Sequence, residues 1–207
     1  MALQPWPLWV YPVEMDYATA SENDRLLVEA VLSGEPGAFE RLVRNYQGLC
    51  WHVVQRMVRH PEDARDLCQE TFLRVHRYLH QYRSDAPLKS WIAQVAYAVA
   101  KRHLERRRIP LAEPADGDGA ALFELVADES DLAGSVADAE IHAHLHRAIE
   151  SLPPLQRTLL TLYHFEELSI PEIARITDVA EGTIKSHLFR SRKALRSLLE
   201  PSMGVAA

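Results

Sequence analysis

Five residues near the end of the chain, Lys185, Ser186, His187, Phe189 and Arg190, put two cations, a hydroxyl, an imidazole and a ring within six positions. Cations there suit phosphate oxygens, and Arg, Lys and Ser also suit base edges. A second set, Tyr97, Lys101 and Arg102, precedes Glu105-Arg106-Arg107-Arg108. Cations that follow a backbone beside a ring that stacks on bases suit single-stranded nucleic acid, although basic residues at a helix C-terminus are also ordinary dipole partners. A third set surrounds Leu73 with Asp66, Gln69 and Glu70. A lone exposed leucine is unremarkable, but among acids it is also an anchor for a partner helix. His142 and His146 stand at i,i+4 with His144 between them. No third ligand stands at a usual spacing, so neither a metal nor another cofactor is expected. The chain lacks a glycine-rich phosphate loop, an HExxH pair and a plausible nucleophile or paired-carboxylate site, so it does not read as an enzyme.

The elements that must carry these side chains are helices. Residues 168–199 read as a helix, a tight turn and a second, basic helix. Ser169 and Glu172 have capping-box spacing, and Pro171 falls in the first turn, where a missing N–H costs little. Ile170, Ile173, Ala174 and Ile176 form a short apolar stripe that stops at Thr177-Asp178, and Asp tolerates a left-handed turn position. Glu181-Gly182-Thr183 opens the second helix, whose apolar positions are Ile184, Leu188, Ala194, Leu195 and Leu198, with Lys185, Ser186, His187, Phe189, Arg190 and Lys193 facing away. Two short helices so arranged suit a helix-turn-helix in a DNA major groove. A basic amphipathic helix on any helical domain is the plainer alternative.

Upstream, Ser21 and Asp24 predict the start of a first helix, which Gly34-Glu35-Pro36-Gly37 ends. A second helix from about Ala38 carries Phe39, Leu42, Val43, Tyr46, Leu49, Val53, Val54, Met57 and Val58 on one broad face. The third begins at Pro61-Glu62-Asp63 and buries Ala64, Leu67, Cys68, Thr71, Phe72, Val75 and Leu79. Arg83-Ser84-Asp85-Ala86-Pro87 is a loop by its turn chemistry. The next helix, about 89–107, turns Trp91, Ile92, Val95, Ala96, Val99 and Leu104 inward, while Gln94, Tyr97, Lys101 and Arg102 project elsewhere. After the linker, Leu145, Ala148, Ile149 and Leu152 continue a helix up to Pro153-Pro154, and Leu155, Leu159, Leu160 and Tyr163 follow on another. The fold class is all-α: two small helical domains joined by an acidic flexible linker. The divisions are a flexible arm over residues 1–20, a four-helix unit over 21–110, the linker over 111–138 and a helix-turn-helix unit over 139–200.

Net charge is −6 over 207 residues, unpromising for a DNA binder until it is divided. Residues 1–110 hold 15 Lys/Arg and 13 Asp/Glu, residues 111–140 hold none and 9, and residues 141–207 hold 8 and 7. The acidity is concentrated in the linker, and local field decides where phosphates bind. Cys50 and Cys68 are the only cysteines, which fits a reducing cytoplasm and argues against a disulfide framework. No apolar run is long enough to span a membrane. The first 17 residues carry three prolines and no basic residue, a poor signal peptide. They read as a flexible arm or as sequence upstream of initiation at Met15.

Four blocks in order resemble the extracytoplasmic-function sigma factors of bacterial RNA polymerase: GEPGAFERLVRNYQ, HPEDARDLCQETFLRVHRYL, YRSDAPLKSWIAQVAYAVAKRHLERRR and LPPLQRTLLTLYHFEELSIPEIARITDVAEGTIKSHLFRSRKALRSLL. The resemblance covers about residues 22–110 and 140–199. It implies a cytoplasmic factor that confers promoter recognition on core polymerase, nucleates melting and performs no covalent catalysis. It assigns Asp66, Gln69, Glu70 and Leu73 to the β′ clamp. Tyr82, Arg83, Ser84 and Asp85 become the loop that captures a flipped −10 base, with Tyr97, Lys101 and Arg102 holding the strand. Thr183, Lys185, Ser186, His187, Phe189 and Arg190 enter the −35 groove. The implied partners are core RNA polymerase (β′ clamp and β flap) and promoter DNA, with room for an anti-sigma factor and without membrane insertion. Asp178 and Ser84 stand where the family commonly has Gly, Ala180 where it often has Pro, and His187 in place of a usual Arg. Acids at Glu62, Asp63 and Asp66 imply polymerase binding without prior phosphorylation. The runner-up is a helix-turn-helix regulator acting without polymerase, which leaves the acidic third helix and the basic fourth unemployed.

Overall fold

The computed structural model describes residues 17–107, 109, 111 and 144–199. All regular structure among them is helical. In chain order the helices are α1 (Tyr17–Leu32), α2 (Ala38–Met57), α3 (Pro61–Tyr78), a 3-10 turn (Leu79–Gln81), α4 (Leu88–Arg106), α5 (described over 144–150), α6 (Pro154–His164), α7 (Ile170–Thr177) and α8 (Glu181–Leu199). The arm, nearly all of the acidic linker, and His142 lie outside the described residues.

Helix boundaries follow local chemistry. Gly34 and Gly37 hold φ of 76° and 77° between α1 and α2, a left-handed conformation that costs glycine little. Pro61 and Pro154 stand in the first turns of α3 and α6, where no intrahelical bond is lost. The start of α1 differs from expectation. It lies at Tyr17, so Ser21 and Asp24 fall inside the helix rather than capping it. Asp24 instead accepts a hydrogen bond from the Tyr46 hydroxyl of α2.

Helix α2 is the axis of the molecule. α3 and α4 pack on it from one unit and α6 from the other, while α7 packs on α4 and both α6 and α7 carry α8. One apolar cluster runs through both units, from Leu42, Val53 and Met57 through Ile92 to Leu159, Leu162, Ile173 and Ile184. Burying such side chains contributes about 1.5–3 kcal/mol each. The two helical units therefore share a core.

Polar contacts pin the shared face. Arg157 of α6 is 1% exposed and donates through Nε to the Arg56 carbonyl at 2.7 Å and through Nη1 to the Leu152 carbonyl at 2.9 Å. Glu150 pairs with Arg56 at 2.9 Å. Glu166, in the turn after α6, lies 2.8 Å from His52 Nδ1 of α2 and 2.9 Å from Lys89 Nζ of α4. Burial alone would raise the Glu166 carboxyl; His52 and Lys89 overcome it and hold the group below its ordinary value.

Candidate nucleic-acid and polymerase interfaces

The turn between α7 and α8 is built as its residues dictate. The Ser169 hydroxyl accepts from the Glu172 amide at 3.4 Å, and Glu172 accepts from the Ser169 amide at 2.9 Å, completing the capping box. Asp178 ends α7 at φ 58°, donating its amide to Ala174. The Ala180 carbonyl then accepts from the Ile184 amide and begins α8.

On α8 the buried stripe is Ile184, His187, Leu188 and Ser191, spaced i, i+3, i+4 and i+7. Two expectations change here. His187, expected on the outer face, is 9% exposed, with Nδ1 3.5 Å from Arg190 Nη2. Burial first and Arg190 second push its pKa down. Leu198, expected in the apolar stripe, is exposed. The 3.6-residue period counted from Ile184 already places His187 and Ser191 inside. Ser191 donates to Gln156 at 3.2 Å, fixing α8 on α6. Thr183, Lys185, Ser186, Phe189 and Arg190 are exposed, and the last four line one open concavity. Phe189 is 68% exposed, a ring set among the cations Lys185 and Arg190.

On the other unit, Leu73 stands 67% exposed on the outer face of α3, with Asp66 and Gln69 exposed beside it. Glu70 is half-buried and accepts from Arg74 at 2.6 Å. In the loop before α4, Arg83, Ser84 and Asp85 are exposed, and Ser84 holds φ 59°. A serine thus takes the left-handed conformation that glycine adopts without strain. Tyr82 is half-buried, its ring 5.6 Å from Trp91 and its hydroxyl donating to the Ala86 carbonyl at 2.7 Å. Lys101 is half-buried and Arg102 exposed.

Tyr97 does not project from the core as expected. It is 4% exposed, and burial first, then Glu105 and Asp178, push its pKa up to about 12. α4 packs against α2 and α3 of its own unit and also against α7. Sequence reading also passed over Arg157 and Glu166, whose partners are distant in the chain.

The described architecture is that of an all-helical protein with a helix-turn-helix whose exposed basic face suits DNA, joined to an acid-faced helical unit. The described helices include none long and apolar enough to cross a membrane. The sigma-70 region 2 family matches residues 42–109, and sigma-70 region 4 matches residues 142–195. The RNA polymerase sigma-H factor of Pseudomonas aeruginosa is 36% identical over 185 residues, covering 87% of this chain and 95% of that protein. The ECF RNA polymerase sigma-E factor of Escherichia coli strain K12 is 34% identical, covering 86% and 95%. The chain belongs to the extracytoplasmic-function sigma factors of RNA polymerase. Among solved structures, the sigma factor RpoE of Bartonella quintana, in complex with the anti-sigma factor NepR, shares the fold with a TM-score of 0.59. Its identity is 23%, covering 79% of this chain and 98% of that one.

Proposed function

We propose that this sigma factor docks on the β′ clamp of core polymerase through Asp66, Gln69, Glu70 and Leu73. In this reading it opens the −10 element with the 82–85 loop and α4, and reads the −35 element with α8. The observation that carries it is the separation of two unlike exposed faces. One is a leucine among acids on α3; the other is a ring among cations on α8. A leucine in an acidic setting suits a basic helical partner with an apolar seat. Phe189, Lys185 and Arg190 suit the stacked, anionic surface of a duplex.

The chemistry is one of binding alone. Unstacking a base costs a few kcal/mol, which the 82–85 loop and the cations of α4 must offset. Residues 21–110 and 139–200 form the two working modules, with residues 111–138 threading the RNA exit path between them. No covalent step and no cofactor is assigned, and the site of action is the cytoplasm. An anti-sigma partner of the kind bound to the Bartonella quintana protein would act by covering these faces.

Retention on immobilised core polymerase tests the docking surface. Leu73→Ala should weaken retention about tenfold or more. Because the side chain is exposed, stability should stay within about 0.5 kcal/mol of the parent. Undiminished retention by Leu73→Ala and by Asp66→Lys would remove α3 from the interface.

A further inference from the structure

Tyr82 is held at three points. Its amide donates to the Leu79 carbonyl at 3.0 Å, its ring lies 5.6 Å from Trp91, and its hydroxyl donates to the Ala86 carbonyl at 2.7 Å. The last bond closes the loop at its base and leaves Arg83, Ser84 and Asp85 as an exposed arch. Ser84, at the middle of the arch, takes φ 59°, a conformation that serine seldom adopts and that its surroundings must hold. Burial first, with Asp24 and Asp85 adding to it against a hydrogen bond from Ser84, raises the pKa of the Tyr82 hydroxyl. The group stays a donor, and its proton is committed to Ala86.

A second pair lies beside it. Asp24, Leu27, Val28 and Val31 form the inner face of α1, at helical spacing. The leucine and the valines join the core, while Asp24 accepts from the Tyr46 hydroxyl of α2. Tyr46 and Tyr82 both pack against that core, and Asp24 lies within electrostatic reach of both. α1 also packs on the 3-10 turn from which Tyr82 emerges. The Asp24–Tyr46 bond therefore ties α1 to α2 next to the turn that carries Tyr82. Asp24 and Tyr46 belong neither to the acidic face of α3 nor to the outer face of α8.

We propose that Tyr82 is a positioning residue and not part of the surface that meets the flipped base: with Asp24 and Tyr46 it fixes the Arg83–Asp85 arch before DNA arrives. This rests on the reading of the 82–85 loop as the base-capturing loop, and it leaves contact with the base to Arg83, Ser84 and Asp85. A loop ordered beforehand loses less affinity to its own ordering when the strand binds, and it offers a single shape to competing bases.

Trypsin and transcription together test it in the full chain. Arg83 is a cleavage site within the arch, so the rate of cutting after it reports how firmly the arch is held. Tyr82→Phe, Tyr46→Phe and Asp24→Ala should each speed that cut about threefold to tenfold, the equivalent of one lost hydrogen bond. Cutting after Arg102, inside α4, should stay within about twofold of the parent, which separates a loosened arch from general unfolding. Asp24→Asn keeps an acceptor for Tyr46 and should recover most of what Asp24→Ala loses. The same variants, bound to core polymerase, then transcribe a pool of genomic promoter fragments, and base preference in the −10 element is read from the mapped starts. All three brace variants should broaden preference at the position that Arg83→Ala, Ser84→Ala or Asp85→Ala alters. Unchanged cutting after Arg83 would overturn the brace. Broadening confined to Tyr82→Phe, with Tyr46→Phe and Asp24→Ala at the parent's preference, would make the Tyr82 hydroxyl a base contact and overturn its positioning role. No change of preference in any arch variant would overturn the reading of the loop, and the positioning role with it, whatever the cleavage rates show.

Discussion

Arg157 donates through Nε to the Arg56 carbonyl at 2.7 Å, so a guanidinium of α6 fills the C-terminal turn of α2. The same side chain reaches the Leu152 and Glu150 carbonyls at 2.9 and 3.2 Å and the Met57 carbonyl at 3.5 Å. A cation at the negative end of a helix with several carbonyl acceptors is a favourable use of a buried charge. Burial is the largest influence on Arg157 and lowers its pKa to about 10, which leaves it charged at neutral pH.

Replacing Arg157 should therefore be costly. Arg157→Leu keeps apolar bulk but strips buried carbonyls of their donor, a loss of about 3 kcal/mol. The melting temperature should fall by about 6–12 °C for a chain of this size. The parent should melt in one transition because the units share a core, and calorimetry of Arg157→Leu should show that transition lowered or split. A melt identical to the parent's would mean that Arg157 does not tie the units together.

Acid should loosen the same junction through Glu166. Its folded pKa lies below the ordinary 4.5 because His52 and Lys89 outweigh burial. A carboxyl depressed in this way contributes stability that is fully present above 4.5 and disappears as pH falls through the folded value. Urea unfolding at pH 6 and at pH 3.5 should show a larger loss on acidification in the parent than in Glu166→Gln. Equal losses in the two proteins would assign the acid sensitivity elsewhere.

His164 and His187 act on a different window. Burial lowers both from 6.5, with Arg192 and Arg190 adding to the effect. A histidine lowered in this way contributes stability that is present above 6.5 and erodes as pH falls through the folded value. His187→Gln should flatten the stability profile between pH 7 and pH 5. A profile that keeps the parent's slope would mean that the His187 pKa is not lowered by folding.

The outer face of α8 makes a prediction about salt. If Arg190 and Lys185 meet phosphates, each alanine variant should reduce the slope of log affinity against log salt for duplex DNA by about one. Phe189→Ala should weaken binding with little change in that slope, because a ring releases no counterion. The opposite pattern would place the cations on base edges or off the DNA.

Local chemistry makes much of this molecule legible in its sequence. The Ser169–Glu172 box, the left-handed Asp178 and the prolines opening α3 and α6 each depend on neighbours within a few residues. The inner faces of α2 and α3 follow from helical period. His187 falls inside by the same count, although its residue type suggests the DNA face. Tyr97 is a different case: a helix face bearing a ring and nearby cations has the same spacing whether nucleic acid or another helix covers it. Arg157 and Glu166 leave no local trace. Their partners Arg56, His52 and Lys89 lie 77 to 114 positions away, and only the folded chain brings them together. The early start of α1 came from outside the capping motif, since Asp24 serves Tyr46 rather than the helix end.

Run-off transcription with purified core polymerase on a pool of genomic promoter fragments from the source organism, with start sites mapped, bears most directly on the central claim. A factor that lends core polymerase a clamp-docking face and two DNA readers should give discrete start sites. Shared upstream sequence should appear near −10 and −35, and Leu73→Ala and Arg190→Ala should each reduce the yield. Starts no different from those of core enzyme alone, or no association with core polymerase at moderate salt, would contradict it.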